Sequence, residues 1–205
     1  MNAIAGAPHL VFEMWESQKL VRSVFHTSTL HTHTCTFTLG VTTMKTLIRT
    51  LVMLGLIVWL GAEIFFPVVA AVTFGQLTDT HAAGSIVGAL LRILHGVGLI
   101  SGAVLLALLA LGSAWAIFRA KPALAAIVLV AAMLGLTAYS QYGIIPAMER
   151  DRMTAGGAID AVAPDNPARV DFNALHVRST RVEGAVLLLG LVTVVLVAGS
   201  IEVKT

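Results

Sequence analysis

The sequence predicts an all-α fold, an integral membrane four-helix antiparallel bundle. Two observations carry that prediction. Four apolar stretches between Leu47 and Ile201 are each about long enough, at ~1.5 Å per residue, to cross a hydrocarbon layer ~30 Å thick. The 205-residue chain is also 57% hydrophobic and only 12% charged, with a mean hydropathy of +0.89, whereas a soluble domain carries about a quarter charged residues. Lipid offers the backbone no hydrogen-bond partner, so helices that close their own bonds are the expected elements and the bilayer is the expected partner. A formal net charge of +2 is too small to call for nucleic acid, and the single Cys35 excludes an intrachain disulfide.

Residues 1–43 differ in kind from the remainder. Glu13, Glu16, Lys19 and Arg22 give way to a stretch rich in threonine and histidine, with no uninterrupted apolar run of the signal-peptide type. The segment reads as a disordered extension, or as sequence upstream of a start at Met44, where Lys45, Arg49 and a sudden apolar run follow. Residues 44–205 then form the membrane domain, with spans at about 47–74, 86–118, 123–145 and 172–201. His31, His33 and Cys35 would lie on one side of an extended chain as donors for a soft metal. They lack a fourth ligand and a framing fold, and a tail is the simpler reading.

The first span contains Pro67, which removes the hydrogen bond to the carbonyl of Glu63 and predicts a kink there. A signal peptide cleaved after Ala62 is the competing reading; the apolar run continues through Phe74, past the length of such a segment. The second span holds Gly98 and Gly102 in GxxxG spacing, repeated by Gly84 and Gly88, so another helix can approach closely, a second copy of the chain included. His95 shares that close-packed face, with Arg92 one turn before it.

Arg119, Lys121 and Pro122 form a basic turn into the third span, whose far end turns polar at Tyr139, Ser140, Gln141 and Tyr142. Pro146 frees the carbonyl of Tyr142 and bends the chain toward Glu149, Arg150, Asp151 and Arg152. Gly156, Gly157, Pro164 and Pro167 mark a loop, and Asp171 is placed to cap the fourth helix. On that helix His176, Ser179, Thr180 and Glu183 share a face, while Arg178 and Arg181 point elsewhere.

Lys45, Arg49, Arg119, Lys121 and Lys204 on one side outweigh Arg150, Arg152 and Arg169 on the other, which puts both termini in the cytoplasm of a plasma or inner membrane. The polar residues then gather toward the outer side. Glu63, Arg92, His95, Gln141, Tyr142, His176, Ser179 and Glu183 form the expected cluster, since an ionisable group at membrane depth costs ~2.5 to 3.5 kcal/mol on insertion scales and calls for a partner or a purpose. The bland alternatives are specific. Arg178 and Arg181 can snorkel or pair with Glu149 and Asp151; Tyr139 and Tyr142 suit an interface; a structural ion pair with Arg92 would satisfy Glu63 or Glu183.

Trp59 to Phe66, the step Leu94, His95, Gly96, and Phe172 to His176 with Ser179 resemble the transmembrane protein 205-like family, a domain of unknown function. The resemblance covers about residues 47–200 and implies a four-helix membrane protein without an agreed reaction. The expectation is therefore a non-enzymatic protein, without a cofactor, whose cluster fixes packing and offers a site to a small ligand or lipid headgroup. Haem b held by His95 and His176 as axial ligands is the alternative, and a small proton or metal transport component is another. Ser179 and His176 are close on one helix, but no oxyanion donor or nucleophile elbow accompanies them.

Overall fold

The computed structural model of the protein describes residues 8–201, with side chains from residue 42 onward. The chain divides into two compact units, Met1–Leu47 and Ile48–Thr205. Helix α1 runs over Pro8–Gln76, α2 over Thr80–Ala114, α3 over Ala120–Tyr139, α4 over Ile145–Thr154 and α5 over Pro167–Ser200. A π turn, Ser140–Ile144, joins α3 to α4, and a 3-10 turn, Ile159–Ala161, lies in the connection to α5. Among the described residues four stretches are long and apolar enough to cross a membrane: Thr42–Gln76, Thr80–Ala114, Ala120–Thr154 and Pro167–Ser200. The four-helix membrane bundle expected from the sequence is the observed fold. The donor set His31, His33 and Cys35 lies outside the residues whose side chains are described.

The helix ends follow capping chemistry more closely than hydropathy. The Asp79 carboxylate accepts from the backbone N–H groups of His81 (2.9 Å) and Ala82 (3.3 Å), so α2 begins before its apolar run does. It ends at Ala114, short of the expected Phe118, because Ala116 turns the chain with φ of 51° and the N–H of Ile117 bonds back to Gly112 O at 2.8 Å. The cap of α5 is Asn166, whose side chain accepts from Ala168 N at 3.0 Å, with Pro167 opening the first turn. Asp171 is therefore inside α5 and not its cap, a correction that follows from proline being favoured at the position after the cap.

Pro146 has an effect different from the bend expected of it. Its missing N–H falls in the first turn of α4, and the preceding turn widens so that Ile145 N–H reaches Ser140 O. Such π turns keep a helix continuous while adding a residue to one turn.

The core sits in the half of the bundle holding the α2–α3 turn. Val52 and Leu56 of α1, Leu105 and Leu109 of α2, Val130 and Met133 of α3, and Val186 and Val197 of α5 are buried together. Gly98 and Gly102 let Trp59 lie flat on α2: a Cβ at Gly98 would stand 2.7 Å from Trp59 Nε1, and one at Gly102 2.6 Å from both Trp59 Cζ3 and Leu134 Cδ2. The GxxxG face thus packs within one chain, which corrects its assignment to a homo-oligomer contact. At the same end Arg119 N–H bonds to Ser200 O and Arg49 Nη2 to Ile117 O, both at 3.0 Å, tying α1, α3 and α5 to the α2–α3 turn. Ile57, Phe65, Ile100, Leu124 and Val195 are exposed, as a lipid-facing surface requires.

Candidate functional site

Above the apolar core each long helix contributes polar side chains through its own periodicity. Trp59 and Glu63 are four apart on the inner face of α1, and Trp59 Nε1 donates to Glu63 Oε1 at 3.3 Å. His95 follows the glycine face of α2 inward and is fully buried. Its Nδ1 lies 3.0 Å from Gln141 Oε1 and its Nε2 2.7 Å from Glu183 Oε1. Ser140 Oγ donates to the same Glu183 oxygen at 3.1 Å. The π turn matters here, because it directs the adjacent residues Ser140 and Gln141 to one network shared with α2 and α5.

The proton count of this network is informative. A neutral imidazole carries one N–H, yet His95 faces an acceptor at each nitrogen. The geometry is satisfied by imidazolium between amide and carboxylate, by a protonated Glu183, or by Gln141 turned to present its amide N–H. In each case both ring nitrogens are engaged. Haem ligation by His95 would have to break one of these bonds in the bundle interior, and His176 lies exposed at a cavity rim.

That cavity, about 450 Å³, opens between α1, α2 and α5 and is lined by Glu63, His176, Ser179, Thr180 and Glu183 together with Phe66, Pro67, Phe74, Leu91 and Leu187. Glu63 and Ser179 are only 5% and 4% exposed. Neither the second oxygen of Glu63 nor Ser179 Oγ makes a hydrogen bond to another described residue, and Glu183 Oε2 is buried without a partner. Glu63 and Ser179 line the cavity with these oxygens available for hydrogen bonds, and a buried unpartnered oxygen such as Glu183 Oε2 calls for water or another donor.

The expected cluster of eight therefore separates. Glu63, His176, Ser179 and Glu183 meet at the cavity, and His95 and Gln141 stand outside its lining, joined to it through Glu183. Arg92 does not join them: its Nη2 lies 3.6 Å from Glu149 Oε2, and it borders a separate hollow of about 680 Å³ with Gln141, Glu149 and Arg150. The expected pairing of Arg92 with Glu63 or Glu183 is corrected accordingly, since Glu149 one turn beyond Pro146 is the nearer carboxylate. Tyr142 is 71% exposed and lines neither space. Arg178 approaches the hydroxyl of Tyr139 at 3.5 Å and makes no ion pair with Glu149 or Asp151 among the described residues. Trp59 and Ser140 are members that the sequence reading missed. The four-residue spacing of Trp59 and Glu63 was a visible signal; nothing distinguished Ser140 from its polar neighbours.

Residues 54–155 match a protein family described as Domain of unknown function (DUF4149). The match names a family and no activity. It spans Trp59, Glu63, His95, Ser140 and Gln141, and stops before α5, so Glu183 and Ser179 lie outside it. No curated protein and no solved structure matches the chain.

Proposed function

We propose that the protein is a non-enzymatic multi-pass membrane protein that binds a small molecule in the cavity between α1, α2 and α5. The observation that carries this is that Glu63 and Ser179, largely buried as residues, line one space and each keeps an oxygen there without a protein partner. His95, by contrast, has both ring nitrogens engaged by protein groups. The resemblance to the transmembrane protein 205-like family agrees with the architecture and contributes no chemistry. The Lys and Arg distribution supports cytoplasmic termini, which puts the cavity in the outer half of a plasma or inner membrane.

Three decyl probes test the reading: decylamine, decanol and decyl sulfate, titrated against the full chain in lipid nanodiscs. With Trp15 and Trp115 replaced by phenylalanine, Trp59 reports on its bond to Glu63. A saturable emission change from at least one probe, lost in Gly184→Leu, is expected; the glycine is at the cavity edge and a Cβ there meets nothing within 4 Å. Only linear, saturation-free responses from all three probes would overturn the proposal.

A further inference from the structure

We infer that the occupant of this cavity is an amine in its ammonium form carrying an apolar chain, admitted sideways from the lipid. The inference rests on the binding reading above and narrows it to a ligand class.

Charge comes first. The cavity wall carries two carboxyl groups, Glu63 on α1 and Glu183 on α5, and no lysine or arginine. On the surrounding helices Arg92 is engaged with Glu149 and Arg178 with Tyr139, and Arg181 is exposed and not part of the wall. Among the described residues His95 is the one titratable group bonded to the pair, through Glu183, and His176 stands at the rim. With two carboxyl groups and no lysine or arginine on the wall of a low-dielectric space, a bound cation supplies the countercharge that ionising these groups requires.

Hydrogen bonding and wall chemistry then select among cations. Among the described residues no three His, Cys, Asp or Glu side chains converge to hold a metal ion. The free oxygens of Glu63 and Ser179 are acceptors for N–H groups, which a quaternary ammonium lacks. Phe66, Leu91 and Leu187 offer an apolar wall that an inorganic cation with its water shell would leave uncovered and an alkyl chain would cover.

The entry direction follows from exposure. Pro67 and Phe74 on α1 and Thr180 and Gly184 on α5 border the cavity and are exposed on the flank of the bundle. Glu63 lies about 20 Å along α1 from its end at Gln76, at ~1.5 Å per residue. A ligand whose charged end reaches that depth keeps its chain in contact with lipid throughout.

The same titration decides the matter. Decylamine is expected to saturate at a concentration at least about tenfold lower than decanol or decyl sulfate, the effect of a charge-assisted bond, and Glu63→Gln is expected to abolish that preference while retaining weak binding of decanol. Glu183→Gln and Ser179→Ala, each checked for unchanged helical content, are expected to weaken decylamine alone. Equal saturation by decanol or decyl sulfate would overturn the amine inference and leave the binding proposal standing; absence of saturation by any probe would overturn both. Tetramethylammonium with a decyl chain in place of a methyl group, binding as tightly as decylamine, would overturn the requirement for N–H donors.

Discussion

His95 Nε2 and Glu183 Oε1, from residues 88 positions apart in sequence, lie 2.7 Å from each other and join α2 to α5 through the interior of the bundle. The contact is the shortest side-chain hydrogen bond of the site and the one that Gln141 and Ser140 share. Gln141 is anchored by the same imidazole, and Ser140 by the same carboxylate oxygen.

Removing the imidazole should therefore cost more than neutralising the acid. His95→Ala strips Glu183 of its principal partner and leaves Gln141 facing a void, so a loss of more than about 2 kcal/mol is expected, above the ~0.6 kcal/mol average of single interhelical bonds in membranes. Glu183→Gln keeps the shape and one acceptor and should lose less. The double variant should fall well short of the sum, because both changes remove one contact. Reversible unfolding in mixed micelles measures all three; strict additivity would show that the pair is not coupled.

Close packing of Trp59 predicts a sharp difference between glycines on one helix. Gly98→Ala and Gly102→Ala place a methyl within 2.7 Å of the indole and should each destabilise by about 1–3 kcal/mol. Gly96→Ala, whose Cβ meets nothing within 4 Å, should be neutral or slightly stabilising. Combining Gly98→Ala with Trp59→Leu should recover part of the loss. Thermal melts of the four proteins, read by circular dichroism, give the comparison.

Arg49 binds the carbonyl of Ile117 in the α2–α3 turn, a contact a shorter side chain does not reach. Arg49→Ala is expected to lower stability by about 1 kcal/mol and to raise amide exchange in the turn around Ile117 and Phe118 before it affects α4. Exchange rising uniformly along the chain would contradict a local role.

Orientation can be read chemically. With Cys35 replaced by serine, a cysteine at Lys121 should react with a membrane-impermeant maleimide only after cells are opened, and one at Asp160 should react in intact cells. The reverse pattern would place the cavity in the inner half of the membrane.

Both His95 nitrogens are occupied, so protein expressed with ample haem should show no Soret band that disappears in His95→Ala. A band of that kind would mean that the imidazole leaves Gln141 or Glu183 to bind iron.

Much of the fold was legible because a bilayer imposes a single rule. Each spanning stretch must be helical, apolar and long, and hydropathy alone reports this. The helix faces were legible too: the spacing of His95 with Gly98, and of His176, Ser179 and Glu183, correctly placed these residues on inward or cavity-facing surfaces. What hydropathy could not report was how one helix is rotated against the next. Arg92 was assigned to Glu63 or Glu183 by depth, yet a carboxylate one turn past Pro146 stood closer to it. Tyr142 was grouped with Gln141 because they are neighbours, yet successive residues on a helix point about 100° apart, and Tyr142 is exposed while Gln141 bonds His95. The glycine pair was read as a surface for a second copy, whereas a large residue on α1 of the same chain already fills it.

The π turn at Ser140–Ile144 makes the third membrane crossing two phased segments within one continuous rod. Up to Tyr139 the angular setting of side chains is fixed by packing against the apolar core; from Ile145 onward it is fixed by α5 and the charged residues beyond. Forcing this turn into uniform α geometry at unchanged length would rotate the second segment by about 100° relative to the first. Ser140 and Gln141 would then be unable to serve Glu183 and His95 together. The crossing is consequently sensitive to backbone geometry at this one point, in a way that a change of side chain there would not reveal.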